Sequence, residues 1–224
     1  MGIGHAVLVH GAGGGAWEWN LWRGVLAARG IDVFTLELSP AVGGLGTTGL
    51  DDYEAQVRAA LLAARRPRAL VGASLGGLLA LRCADAADAL VLVNPLPPAP
   101  WNRSLPTRDY PEVVPWRRTA RLDGTRRALP DSDDATALFA FRHWRDESGR
   151  VLCEAGTVAV ERPACPLLCI ASTDDTDVPA TVTAALAAAW TAEQWSVPGD
   201  HVSPLLGRHA PSLAARVADW LSQA

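Results

Sequence analysis

Lysine is missing from this chain: all 20 basic residues among its 224 are arginine. That single absence excludes a lysine-bearing phosphate loop, a pyridoxal Schiff base and any amine nucleophile. The four cysteines, Cys83, Cys153, Cys165 and Cys169, form no C-x-x-C pair, and buried free thiols are the expected state. Five histidines, His5, His10, His143, His201 and His209, are too scattered for an H-E-x-x-H motif or a cluster, so neither a metal nor another cofactor is expected. No apolar run approaches the ~18 residues of a membrane span, which argues against a membrane partner. Residues 1–5 carry no charged leader region and no long apolar stretch follows them, so a cytoplasmic location is the expectation. A formal net charge of −4 gives no reason to expect nucleic acid as a partner.

What is present reads as one globular domain or one domain carrying an insertion, with 49% hydrophobic and 20% charged residues. Short apolar runs at 6–10, 32–38, 69–73, 89–94, 166–171 and 194–197 alternate with helical patterns at 17–28, 51–64, 75–84, 179–189 and 211–222. The alternation predicts an α/β fold, a mostly parallel sheet of about six strands flanked by helices. The strand runs lack period-two polarity, as expected of a sheet covered on both faces. Asp51 with Glu54 resembles a capping box at the start of the second helix. The rhythm breaks once, from Pro95 to Glu161, where ten of the arginines and Trp101, Trp116 and Trp144 gather without a strong strand. So long a gap is normally an inserted element, and we read 97–161 as a helical cap on a core made of 1–96 and 162–224.

The sharpest local signal is Gly72-Ala73-Ser74-Leu75-Gly76, between an apolar strand and an apolar helix. In such a G-x-S-x-G turn the serine stands exposed on a tight strand-to-helix corner, with the helix N-terminus facing the same point. Ser74 is therefore the candidate nucleophile; a merely tight turn is the bland alternative. A second signal, Val9-His10-Gly11-Ala12-Gly13-Gly14-Gly15-Ala16, is a strand that runs into a glycine loop able to bring main-chain N–H groups close to a bound carbonyl. The same loop loosely matches a dinucleotide fingerprint, with Glu37 as its acidic partner, but that reading leaves Ser74 unexplained. A serine needs a base and the base an orienting acid. His201, in Pro198-Gly199-Asp200-His201, follows the last strand, and an acidic loop with Asp174, Asp175 and Asp177 follows the one before.

Together these motifs resemble the α/β-hydrolase superfamily over essentially the whole chain. His10-Gly11-Ala12 with Ala16-Trp17-Glu18-Trp19 is most similar to the small hydroxynitrile lyase and methylesterase group and its bacterial relatives. The resemblance implies Ser74 as nucleophile, His201 as base, and the main-chain N–H groups of Ala12 and Leu75 as oxyanion hole. It implies Asp175 as the acid, four residues before Pro179, although Ser172 stands where the family pattern has glycine and Asp174 and Asp177 are close by. Asn94 occupies the place some relatives use for the acid, which closes that route. The group's lyases rely on a lysine that this chain lacks. His10 is expected to hold the loop from behind. Trp17, Trp19, Trp101, Trp116, Phe139 and Trp144 are candidates for lining an apolar pocket, with ordinary packing as the alternative.

The activity these readings imply is hydrolysis of a small apolar ester or thioester, free or carrier-tethered. A setting in bacterial natural-product biosynthesis fits the arginine-only, alanine-rich composition. The runner-up is a lyase that uses the same residues for elimination without net hydrolysis, and a ligand-binding protein on the same fold is the third. The basic cluster Arg117, Arg118, Arg121, Arg126 and Arg127 is either a solvated helix face or a contact for an anion or carrier protein.

Overall fold

The computed structural model describes residues 2–224. Strands β1 (His5–Val9), β2 (Asp32–Leu36), β3 (Arg68–Ala73) and β4 (Ala89–Val93) are followed by the two-residue strands β5 (Val113–Val114) and β6 (Glu147–Ser148), then by β7 (Leu167–Ser172) and β8 (Glu193–Val197). Among the described residues six of these form one all-parallel sheet in the order β2-β1-β3-β4-β7-β8, while β5 and β6 pair antiparallel with each other. Helices α1 (Asn20–Ala28), α2 (Leu50–Ala63) and α3 (Leu75–Arg82) belong to the first half of the sheet. Between β4 and β7 lie α4 (Trp116–Thr119), α5 (Leu122–Ala128), α6 (Asp134–His143) and α7 (Gly149–Ala155), and α8 (Ala180–Trp190), α9 (Ser203–Leu206) and α10 (Ala210–Leu221) complete the chain. No helix among the described residues is long and apolar enough to cross a membrane.

Alternate residues of each strand enter two separate hydrophobic layers. Ala6, Leu8, Val71, Val91 and Ile170 pack with Trp22, Leu26, Leu213 and Val217 of α1 and α10. Val7, Val9, Leu70, Leu92 and Cys169 pack with Tyr53, Val57, Leu78 and Leu186 of α2, α3 and α8. Both faces are therefore dry, which is why the strands read as continuous apolar runs; each fully buried leucine or valine contributes about 1.5–3 kcal/mol. The segment between β4 and β7 is anchored in both layers, through Leu129 and Ala140 in the first and Val151 and Ala155 in the second.

Two local expectations change. The Asp51–Glu54 capping box does not form, because α2 begins one residue earlier, after an extended Gly49. The Gly49 N–H donates to Asp52 at 2.8 Å and the Leu50 N–H to Glu154 of α7 at 2.7 Å, while Asp51 and Glu54 both turn to Arg82. All four cysteines are free, but only Cys83 and Cys169 are buried, and burial pushes each of those thiols up to about 12. Cys165 is half-buried and Cys153 is exposed.

The far end of α2 depends on one buried guanidinium. Arg68 donates to the carbonyls of Leu62 and Ala64 at 3.2 and 2.8 Å, covering acceptors that the helix terminus leaves open, and to that of Ala86, just before β4, at 2.9 Å. Arg68→Met should therefore lower stability by about 2–4 kcal/mol in urea unfolding. Because the site lies at the opposite, carboxyl end of β3, activity per folded molecule should not change.

Candidate active site

The chain leaves β1 toward β2 on one side and returns to β3 on the other, so the loops after β1 and β3 diverge between neighbouring strands. Parallel sheets open a crevice at such a point, outside the carboxyl ends of their strands. Both glycine-rich motifs stand there. Ser74 turns the chain from β3 into α3 with φ 51° and ψ −119°, a left-handed conformation rare outside glycine. The corner closes only because its flanking residues have no side chain. A Cβ on Gly72 would collide with the Gly76 carbonyl, and one on Gly76 with the carbonyls of Val9 and His10. The Ser74 hydroxyl has no hydrogen-bond partner among the described residues, and the Leu75 N–H at the start of α3 donates to none of them.

His201 follows β8 and Asp175 follows β7. His201 Nδ1 lies 2.7 Å from Asp175 Oδ2, and Asp175 Oδ1 accepts from the N–H groups of Asp177 and Val178 at 2.8 and 2.9 Å. Asp175 is buried, whereas Asp174 is exposed and accepts a 3.3 Å bond from the Gly199 N–H, so the geometry separates the two. Asn94, itself left-handed at φ 43°, donates from Nδ2 to Ser172 Oγ at 2.9 Å and to the His201 carbonyl at 2.8 Å, and accepts from the Ser172 N–H at 2.8 Å. Burial pushes the imidazole of His201 down, but the hydrogen bond and charge of Asp175, with Asp177 and Glu18 nearby, more than offset it and hold the pKa above the ordinary histidine value. Donor atoms of Asp175, Asp177 and His201 come within 4.8 Å of one another. Both Asp175 oxygens are already engaged, so this group reads as a hydrogen-bonded pair with a neighbour.

The loop after β1 is held by three side chains, His10, Arg145 and Glu147. Behind it, the buried His10 places Nδ1 2.7 Å from the Gly11 carbonyl, and its Nε2 accepts from the Leu38 N–H at 3.1 Å. That pair of roles requires the neutral ring, and burial lowers its pKa to about 4. Arg145, whose guanidinium lies 3.3 Å from His10 Nε2, donates through its main-chain N–H to the Gly13 carbonyl at 2.8 Å and through Nε to the Gly14 carbonyl at 2.6 Å. Glu147 accepts from the Gly13 N–H at 3.0 Å and from the Tyr53 hydroxyl at 2.8 Å. Glu37 accepts from the Ala16 N–H at 2.8 Å and pairs with Arg145, so it belongs to the loop's support and not to a ribose site. The Ala12 N–H donates to no described residue.

Gly11, Ala12, Ser74 and His201 face a common cavity of about 1210 Å³, which Leu96, Trp116, Trp144 and Leu152 also line. A bare serine hydroxyl, an imidazole tied to a buried carboxylate and two undirected N–H groups converge on it, an arrangement suited to acyl transfer. The alpha/beta hydrolase family model matches residues 6–219.

The chain belongs to the alpha/beta hydrolase family. Solved members with the same fold include a pyrethroid hydrolase from Sphingobium faniae (21% identity, 98% of this chain and 97% of that one, TM-score 0.75). A methylesterase from Arabidopsis (18%, 98% and 99%, 0.73) and a mutant of tomato methylketone synthase I (16%, 99% and 100%, 0.75) match similarly. No curated protein matches the sequence. The methylesterase fits the group that the opening motif resembles.

Within this hydrolase fold the aromatic candidates separate. Trp116 and Trp144 line the cavity. Trp19 is fully buried in the core, edge-to-face with Trp22 at 5.2 Å, and Trp101 stacks edge-to-face on Trp190 of α8 at the same distance. Trp17 and Phe139 pack on each other at 5.7 Å beside Trp144, outside the cavity lining. Of the basic cluster, Arg121 and Arg127 reach the cavity; Arg118 is paired with Asp146 and Arg126 with Asp123 and Asp134. Three residues of the site, Glu18, Arg145 and Glu147, have no role that the motifs assign. Glu18 stands between two tryptophans directly after the glycine loop, and a charge in that setting was a usable signal; Arg145 and Glu147 lay in a charged run that looks solvated.

The Glu147 support can be measured. Glu147→Ala leaves the buried Gly13 N–H and Tyr53 hydroxyl without partners and should lower stability by about 2–4 kcal/mol in urea. Tyr53→Phe removes one bond alone and should cost about 1 kcal/mol.

Proposed function

We propose that this protein is a cofactor-independent serine hydrolase of a small ester or thioester. The observation that carries the reading is the convergence of an unengaged serine on a strained corner, a carboxylate-bound imidazole and two unspent N–H groups on one cavity. Ser74 Oγ attacks the acyl carbon and His201 Nε2 takes its proton; their hydrogen bond closes when substrate is bound. The tetrahedral oxyanion is held by the N–H groups of Ala12 and Leu75 at the α3 terminus. As the intermediate collapses, the leaving alcohol or thiol takes the proton from His201. Water, deprotonated by the same ring, then releases the acid and restores Ser74. Asp175 fixes the tautomer and stabilises the imidazolium.

Segment 97–161 acts as the cap that shapes the substrate. Its Trp116, Trp144 and Leu152 suit an apolar acyl group, while Arg103, Arg121 and Arg127, unpaired among the described residues, suit the anionic arm of a carrier-tethered thioester.

Ser74→Ala should cut turnover of p-nitrophenyl acetate by about 10³–10⁶-fold while leaving the unfolding transition in place. A fluorophosphonate probe should label the wild type and not this variant; equal hydrolysis by both would remove Ser74 from the role. Asp175→Asn should lower kcat by about 10⁴-fold, against only a few-fold for Asp174→Asn. His201 works as the neutral base with a raised pKa, so kcat/KM should fall as pH drops through a value above the ordinary 6.5. An acyl adduct on Ser74 in mass spectra, with oxygen-18 from water entering the acid product, supports hydrolysis. An elimination enzyme shows neither.

A further inference from the structure

Three carboxyls lie buried around the oxyanion loop, and one of them is barely satisfied. Asp175 and Glu147 have their oxygens filled by short bonds to N–H groups, an imidazole and a hydroxyl. Glu18, 3% exposed, accepts a single long bond from the Gly11 N–H to Oε2 at 3.4 Å. Its Oε1 has no partner among the described residues, and the residue lines the cavity together with Ser74 and His201. The loop passes directly over it: a Cβ on Gly14 would fall 2.5 Å from both the carboxyl carbon and Oε1. Nothing in the fold requires a carboxyl here, since neighbouring Trp19 and Trp22 are ordinary core residues. An unpaired buried acid facing a substrate cavity, one peptide unit from the Ala12 N–H, is placed to touch what binds there.

We propose that Glu18 is a substrate-recognition residue, donating the O–H of an un-ionised carboxyl to an acceptor oxygen on the acyl part of the substrate, beside the Ala12 amide. The inference rests on the hydrolase reading above and narrows its substrate class to acyl groups with an ether, hydroxyl or keto oxygen close to the scissile carbonyl. In this arrangement Oε2 keeps the Gly11 N–H and Oε1 carries the proton. The surroundings favour that form. Burial raises the pKa to about 8, with the charge of Glu37 adding to it, while the Gly11 N–H, His201 and Arg145 act in the opposite sense. At neutral pH the cavity therefore presents a donor, and above about 8 it presents a charge that repels an acceptor oxygen.

The test compares two isosteric probes, p-nitrophenyl methoxyacetate and p-nitrophenyl butanoate, in wild type, Glu18→Gln and Glu18→Leu. The ratio of their kcat/KM values in each variant cancels intrinsic reactivity when variants are compared. The ratio should fall about tenfold in Glu18→Leu, the loss of one hydrogen bond. In Glu18→Gln, whose amide remains a donor, it should stay within about threefold of wild type. Raising the pH through 8 should lower the ratio in wild type and leave it flat in Glu18→Gln. An unchanged ratio in Glu18→Leu, or a loss in Glu18→Gln equal to that in Glu18→Leu, overturns the proposal.

A second readout needs no activity. The folded state holds a proton on Glu18 that the unfolded chain releases near 4.5, so wild-type stability relative to Glu18→Gln should fall as pH rises from 4.5 and level off above about 8. A difference independent of pH overturns the un-ionised carboxyl. Fluorophosphonate labelling of Ser74 in all three proteins keeps a failure here distinct from a failure of the hydrolase reading: labelling with an unchanged ratio sinks Glu18 alone.

Discussion

A loop without side chains cannot hold its own shape, and the run from Gly11 to Gly15 is the part of this molecule on which its site depends. Glycine gives the backbone close access to a ligand and loses the most conformational freedom on ordering. The missing order comes from neighbours. His10 bonds the loop to the segment just past β2, and Arg145 and Glu147 bond it at Gly13 and Gly14, Arg145 also lying against His10. Because Arg145 and Glu147 belong to the segment between β4 and β7, that segment orders the loop and sets where its N–H groups point.

Absence of lysine gives this support its form. A guanidinium offers donors in a planar fork, and Arg145 uses them on two carbonyls and on Glu37 at once, which an ammonium on a flexible stem does less well. The same contrast orders the buried acids. Asp175 and Glu147 are saturated with donors and serve as fixed points for an imidazole and a loop. Glu18 has one weak bond. Buried polar groups in native proteins are nearly always paired, so a poorly paired one inside a cavity points to a partner that arrives from outside.

The fold was legible because its signal is carried by composition over many residues. Six apolar runs without alternation, separated by helical patterns, correspond to β1, β2, β3, β4, β7 and β8 within one to two residues at most ends. Ser74 was legible for a different reason: a left-handed corner between Gly72 and Gly76 admits few sequences. What stayed hidden depends on distant partners. The cap of α2 is set by Glu154, about a hundred residues away along the chain, and no local pattern could place it there. The aromatic residues were ambiguous for the same reason. Trp19 and Trp144 are alike as sequence, and only the packing of α1 against α10 sends the first into the core.

The two departures from the family pattern, Asn94 and Ser172, look unrelated at 78 residues' separation, yet they form one contact. Asn94 cannot supply a carboxylate, and its amide instead joins the Ser172 N–H and hydroxyl to the His201 carbonyl. A glycine at 172 would keep the N–H that Asn94 Oδ1 accepts but leave one Nδ2 donor of the amide unmatched in a buried site. The serine hydroxyl takes that donor and so strengthens the tie between the end of β7, which presents Asp175, and the loop that presents His201. Asp175 and His201 are thereby held at hydrogen-bond distance by a neutral pair next to them, and their 2.7 Å contact does not have to order both loops by itself.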